Sequence, residues 1–389
     1  MDPVTVATFL TASVASLFMA WSIGAGSSGS TPFAPAVGAN AISVMRAGFF
    51  VGLLGLLGAA LQGASVTEAV GRELIIGDPL SSGAAIVALS IAAGLVAIGV
   101  FAGYPIATAF TVTGAVVGAG LAMGGAPAWA KYYEILAVWI LTPFAGGGAA
   151  YVIARSLRSE WLSEQIGVPA LGGIVGAIVA NIEFVILGPP DGAASIATAI
   201  GGDGVGRVLV TLGATGIVAG ALAVDMRRSE PAAERRFLLV LGGLVAFSAG
   251  GSQVGLALGP LLPLFDGAGV DIPLIALLFG GGVGLLVGSW TGAPRMIKAL
   301  AQDYSSLGPR RSIAALIPSF SIAQIAILLG VPVSFNEIIV SGIIGAGAAA
   351  SGAGISVTKM WYTVLAWVGS LVGAGVLSFG LYTVAVAIL

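Results

Sequence analysis

The chain has 389 residues, of which 58% are hydrophobic and only 8% charged, with a mean hydropathy of +1.07 and a formal net charge of −2. Soluble domains carry about 25% charged residues, so this composition belongs to an integral membrane protein. The absence of Cys and His excludes disulfides, iron–sulfur clusters, thiol nucleophiles, the helical zinc-protease motif and Ser–His–Asp chemistry; no basic stripe suited to nucleic acid is present.

A membrane helix needs about 20 apolar residues. Taken in chain order, apolar windows predict helices at 6–25, 44–62, 83–102, 133–154, 167–188, 207–225, 237–265, 272–291, 313–330 and 361–386. The first carries Asp2 and no basic n-region, and reads as a membrane helix rather than a cleaved leader. Two shorter pieces, 105–124 and 334–350, each follow a proline and are too rich in Gly, Ala, Ser and Thr for plain spans. Charged loops lie at 155–164 (Arg155, Arg158, Glu160, Glu164), 226–236 (Arg227, Arg228, Arg235, Arg236) and 295–311 (Arg295, Lys298, Arg310, Arg311). Two helices separate each loop from the next, so all three share one side, which the positive-inside rule makes cytoplasmic.

The sequence also repeats itself. Pro105 and Pro332 are each followed 13 residues later by a glycine, Gly118 and Gly345. Lys131 precedes Trp139 by eight residues, as Lys359 precedes Trp367, and "WSIGAGSSG" (21–29) recurs as "FSAGGSQVG" (247–255). Four markers in one order at a nearly constant offset indicate a duplication, with 1–160 a first membrane repeat, 161–236 connecting helices and a cytoplasmic loop, and 237–389 a second repeat. The expected fold is an all-α membrane protein of about 10–12 transmembrane helices with two re-entrant or broken-helix segments. Such breaks are tolerated only where the backbone is buried in protein or lines a cavity. The runs 23–38 and 247–261 are read as one broken pair and the two proline-led pieces as another.

At these motifs the sequence resembles the inorganic phosphate transporter family, which includes sodium–phosphate symporters and sulfate permease relatives. Phe247, Ser248, Gly250, Val254, Ala257, Gly259, Pro260 and Leu261 match the family's second-half signature without a gap. Pro332, Val333 and Ser334, and in the first half Pro105, Thr108 and Thr111, match its P-V-S-T-T-H-T segment. The runs 63–71 and 364–368 are also similar. The resemblance implies a plasma-membrane, multi-pass, non-enzymatic carrier with inverted halves. Its Asn-Asp pairs, the expected sodium ligands, are replaced here by Ser252-Gln253 and by Gly26, Ser27 and Ser28. A histidine is replaced by Glu337 and Phe110, and an acid by Gly55. An oxyanion carrier is implied, with its usual sodium site in question.

A tetrahedral oxyanion needs hydrogen-bond donors and positive potential, which the start of a half-helix supplies through free N–H groups and its dipole. The candidate substrate residues are therefore Thr108, Thr111, Ser334, Asn336, Ser248 and Ser252. The candidate ion-coupling residues are Ser27, Ser28, Thr31, Gln253 and Glu337, with sodium near Ser28 and Gln253 or a proton on Glu337 as the coupling ion and no other cofactor. An ionisable group at membrane depth is a functional candidate by default; Glu183 is a second one. For each Ser or Thr alone, capping and close packing is the plainer reading. Lys131, Lys359 and Glu134 read as helix-end residues.

The expected function is secondary active transport of inorganic phosphate, or a similar tetrahedral anion, by ion-coupled symport and alternating access. A sulfate permease of the same fold and an anion channel are the alternatives, and expected partners are phosphate or sulfate, membrane lipid and a second copy of the chain. One difficulty remains. Six predicted spans separate Lys131 from Lys359, which puts them on one side, whereas inverted halves need them on opposite sides. The long 237–265 run, with Gly250–Gly251 inside it, is where the extra break is expected.

Overall fold

The computed structural model describes residues 3–159, 163–188, 192–267, 272–303, 307–349 and 357–388. In chain order the helices are α1 (Pro3–Gly26), α2 (Ala34–Gly38), α3 (Val44–Gln62), α4 (Ala64–Arg72), α5 (Ser82–Ala102), α6 (Thr108–Ala122), α7 (Trp129–Ser156), α8 (Glu164–Ala180), α9 (Ile196–Gly201), α10 (Val205–Arg228), α11 (Glu230–Leu258), α12 (Leu262–Gly267), α13 (Leu274–Thr291), α14 (Ala293–Asp303), α15 (Pro309–Leu328), α16 (Phe335–Ala348) and α17 (Val357–Ile388). Two short antiparallel ladders pair Ile75–Ile76 with Ala126–Pro127 and Glu183–Phe184 with Ala194–Ser195. Nine helices of the described residues are long and apolar enough to cross a membrane, and α6, α8 and α16 are shorter apolar helices.

Polar contacts sort the helix ends into two faces. Arg310, at the start of α15, pairs with Glu164, Glu230 and Glu234 at the starts of α8 and α11. Arg236 pairs with Asp225 at the end of α10, and Arg158, just past α7, donates to the Ala349 carbonyl at the end of α16 at 3.1 Å. The three charged loops therefore meet on one face, which their arginines mark as cytoplasmic. On the other face Lys131 at the start of α7 lies 2.9 Å from Glu73. There too Ser81, preceding α5, meets the Tyr382 hydroxyl near the end of α17 at 3.0 Å.

These contacts resolve the count of spans. The 313–330 segment is no full crossing: α15 leaves the cytoplasmic face and α16 returns to it, so the two form a re-entrant hairpin. Five crossings remain between Lys131 and the start of α17 (α7, α8, α10, α11, α13), which puts Lys131 outside and Lys359 inside. The expectation that the 237–265 run supplies the extra break is corrected: α11 continues through Gly250–Gly251 to Leu258, and only there gives way to a 3₁₀ turn at Gly259–Leu261. The glycines serve close approach instead. A Cβ on Gly250 would lie 1.9 Å from the Gly55 carbonyl oxygen of α3, so the two backbones touch as small-residue membrane interfaces do. In the first half the chain does break, after Gly26, with turns through 27–33 before α2. Helix α8 stops at Ala180 rather than 188, because Glu183–Phe184 enters a ladder.

Hairpin α5–α6 mirrors α15–α16. Each turns on a left-handed glycine, Gly103 (φ 74°) and Gly330 (φ 62°), two residues before Pro105 and Pro332. A residue with a Cβ pays a steric penalty in that conformation. The α5–α6 hairpin opens to the outer face and α15–α16 to the cytoplasmic face, so the starts of α6 and α16 meet in the interior.

Candidate functional site

Both half-helices begin bare. Helix α6 starts three residues after Pro105 and α16 three after Pro332, and neither N-cap residue, Ala107 or Ser334, makes a side-chain capping bond. The first-turn N–H groups of a helix have no intrahelical partner, so two positive dipole ends point into the same buried region. The extended segments ahead of them are held crosswise. Trp367 Nε1 on α17 donates to the Pro105 carbonyl and Trp139 Nε1 on α7 donates to the Pro332 carbonyl, each at 2.8 Å. The Phe110 ring stacks on Trp139 with centroids 3.8 Å apart.

A closed ring of hydrogen bonds joins the two starts. Asn336 Nδ2 donates to the carbonyls of Gly26 (2.9 Å) and Ile106 (2.6 Å), tying α16 to the end of α1 and to the segment entering α6. Thr108 Oγ1 donates to Gln253 Oε1 at 2.7 Å and also faces Ser27 Oγ at 3.4 Å. Gln253 Nε2 donates to the Val333 carbonyl, which returns to α16. Ser27, Thr108, Gln253, Ser334 and Asn336 have no exposed surface. Beside the ring several buried polar atoms lack a partner: Ser252 Oγ, Ser334 Oγ, Asn336 Oδ1 and Glu337 Oε2. Orphaned buried groups cost about 1–3 kcal/mol each, and three of these four lie at the start of α16, the fourth on α11 next in sequence to Gln253.

The residues expected from sequence divide accordingly. The structure brings Thr108, Ser334, Asn336, Ser252, Ser27 and Gln253 to the ring or next to it, with Glu337 in the first turn of α16. Thr111 bonds back to Ala107 O within its own helix. Ser28 faces Ile23 O at 3.5 Å and Thr31 donates to Ser27 O at 3.1 Å, so both close the end of α1. Ser248 lies a turn before Ser252, donates to Leu244 O, and accepts from Gln324 Nε2 at 2.6 Å. Gln62 Nε2 in turn donates to Gln324 Oε1 at 2.7 Å.

That amide chain opens onto a cavity of about 1070 Å³ on the outer face, bounded by Gln62, Ser65, Glu68, Asn181, Glu183 and Gln324 among others. Glu183 is exposed at this vestibule, not buried in the core. The sequence reading missed Gln62 and Gln324, which carry no motif. It recorded Trp139 and Trp367 only as spacing markers, although their equal distance from Lys131 and Lys359 was the available signal for their shared task.

Sodium binding asks for several oxygen ligands, preferably with a carboxylate among them. Around Ser28 and Gln253 the donor set is hydroxyl, amide and carbonyl. Both ends of the Gln253 amide are committed to Thr108 and Val333. Among the described residues the cluster of acids that could hold a metal is Glu164, Glu230 and Glu234, which lies at the cytoplasmic face with Arg310.

The phosphate transporter family matches residues 23–378. A protein of Pyrococcus abyssi, a phosphate permease by name, is 26% identical over 97% of both chains. A chloroplast protein of Arabidopsis thaliana named inorganic phosphate transporter 2-1 is 22% identical over 85% of this chain and 64% of its own length. A solved structure titled "The sodium-dependent phosphate transporter" shares the fold with a TM-score of 0.83 over 98% of this chain and 100% of the other, at 23% identity.

Proposed function

The chain belongs to the phosphate transporter family and so carries inorganic phosphate across the cell membrane; we propose that it does so by alternating access around the junction of α6 and α16. The family is one of permeases, not enzymes. The observation that carries this reading is the meeting of two uncapped half-helix starts, with the unpartnered hydroxyl of Ser334 at one of them and that of Ser252 on α11, next in sequence to Gln253 of the ring. Hydroxyls and N–H groups at dipole ends attract an oxyanion, while the segments 105–124 and 334–350 carry no Lys or Arg that would keep it from leaving. The two hairpins enter from opposite faces, so rocking one half of the molecule against the other opens the junction to one side at a time. This is also why we read the two halves as an inverted duplication. The outer cavity above Gln62 and Gln324 is the natural way in from outside.

Glu337 is the coupling group in this reading. It is 2% exposed, and its Oε2 has no partner. The helices packed most extensively on α16 are α7 and α15; α1, α11 and the segment entering α6, which meet its start, carry no titratable group at those contacts. The titratable groups of the two packed helices are Lys131, Tyr132, Tyr133, Glu134, Tyr151 and Arg155 on α7 and Arg310 and Arg311 on α15, and among the described residues none of them forms an ion pair with Glu337. A buried carboxylate without a counter-charge is costly. A proton that boards with phosphate and leaves with it removes that cost, whereas the donors around Ser28 and Gln253 offer sodium no carboxylate.

The test is uptake of radiolabelled phosphate into liposomes, with an inward proton gradient and an inward sodium gradient imposed separately. Concentrative uptake on the proton gradient alone is expected. In Glu337→Gln the protons entering per phosphate should fall below the wild-type ratio, whatever the absolute rate, leaving only those the anion itself carries. Uptake that needs sodium, or an unaltered proton-to-phosphate ratio in the variant, contradicts the assignment of Glu337.

A further inference from the structure

Asn336 carries information about which anion is carried. Its amide has two N–H donors and one carbonyl oxygen. Both donors are spent on backbone carbonyls, Gly26 O at 2.9 Å and Ile106 O at 2.6 Å. Those carbonyls can only accept, so they fix the amide's orientation and leave Oδ1 pointing away from them. Oδ1 is fully buried and without a partner. An amide oxygen can only accept, and a rotation that made the group a donor there would set Oδ1 against two carbonyl oxygens.

A buried, fixed acceptor is a poor neighbour for a fully deprotonated oxyanion, because two sets of lone pairs would face each other in a dry site. It is a good neighbour for an anion that brings its own O–H. Phosphate at neutral pH carries one or two P–OH groups; sulfate carries none. The hydroxyls of Ser252 and Ser334 can turn to donate, and so suit the unprotonated oxygens of either anion. Asn336 therefore discriminates between them, where the hydroxyls do not.

We propose that Asn336 Oδ1 accepts the P–OH hydrogen of the bound anion, so that the site selects protonated tetrahedral oxyanions, phosphate and arsenate, over sulfate. This rests on the reading that phosphate binds at the junction of α6 and α16. Leaving the acceptor unpaired forfeits enough free energy for roughly 10- to 100-fold discrimination.

The experiment is displacement of radiolabelled phosphate from the purified full chain at neutral pH by four competitors: arsenate, sulfate, selenate and monofluorophosphate. Monofluorophosphate decides most, since it has the charge and size of hydrogenphosphate but a fluorine in place of the hydroxyl. Arsenate should compete within about threefold of phosphate, and the three anions without an O–H should each be at least about tenfold weaker. Monofluorophosphate or sulfate competing less than about tenfold more weakly than phosphate would overturn the assignment. These readouts need no variant. In Asn336→Thr, whose hydroxyl can turn to donate, the phosphate-to-sulfate ratio should fall by about tenfold. Should labelled phosphate not bind the wild-type chain at all, the phosphate reading itself fails; equal binding of phosphate and sulfate overturns the role of Asn336 alone.

Discussion

Gln253→Met tests the hydrogen-bonded ring most sharply. The side chain keeps its length and loses only its polar end. In the wild type that end accepts from Thr108 at 2.7 Å and donates to the Val333 carbonyl, with no exposed surface on Gln253 or Val333. The two losses are unequal. Thr108 can turn towards Ser27 Oγ, already at 3.4 Å, and recover much of its bond. The Val333 carbonyl has no alternative donor in the ring and is orphaned, which costs about 1–3 kcal/mol; the net loss of the Thr108 bond adds about 0.5–1 kcal/mol. The variant should therefore be about 1.5–4 kcal/mol less stable. Phosphate exchange should fall with it, because the segment that delivers Ser334 is no longer tied to α11. The assay pairs denaturant unfolding in detergent with phosphate exchange in liposomes. Thr108→Val supplies a double-mutant cycle, in which a coupling of about 1 kcal/mol is expected. A Gln253→Met protein within about 0.5 kcal/mol of wild type and with unaltered exchange would show that the ring holds nothing together.

Three further outcomes follow from the packing. Gly250→Ala places a Cβ 1.9 Å from the Gly55 carbonyl oxygen, and backbone cannot yield as a side chain can, so α3 and α11 must part at a cost of about 1–3 kcal/mol or more. Gly213→Ala on α10, where a Cβ meets nothing within 4 Å, should be neutral or slightly stabilising in the same unfolding assay. Trp367→Phe leaves the Pro105 carbonyl without its donor and should lose about 1–3 kcal/mol, with Trp139→Phe doing the same at Pro332; unchanged unfolding in both would remove the clamps from the account. Because the chain has no Cys, Ser65→Cys can be labelled without background. A membrane-impermeant thiol reagent added outside should block phosphate exchange, and labelling only from the cytoplasmic side would reverse the assigned orientation.

The membrane class, most helix positions and the two proline-led half-helices were legible in the sequence because hydropathy and proline act locally. Pro105 and Pro332 announce the segments they precede wherever the rest of the chain lies. Gly250–Gly251 misled for the same reason. Glycine weakens a helix locally, but here its purpose is the contact with Gly55 across a helix pair, and α11 runs on unbroken. The path of α15 was equally hidden, since 313–330 has the length and hydropathy of a crossing and only the return of α16 to Arg158 identifies a hairpin. Within the site, residue type picked out Ser252, Ser334 and Asn336 but could not say which of their atoms were spent. Ser248 and Thr111 look just as suitable in sequence, yet each bonds to its own helix. The Gln62–Gln324 pair is 262 residues apart and belongs to no motif; only the fold brings it together.

The central claim is that the anion sits where α6 and α16 begin. Arsenate, with phosphate's shape and protonation and an anomalous scatterer at its centre, can be located directly in crystals of the arsenate-bound protein. The account predicts a peak between the starts of α6 and α16, within hydrogen-bond reach of the Ser252 and Ser334 hydroxyls and of Asn336 Oδ1. A peak found instead only in the outer vestibule, or only beside the cytoplasmic arginines, would contradict it.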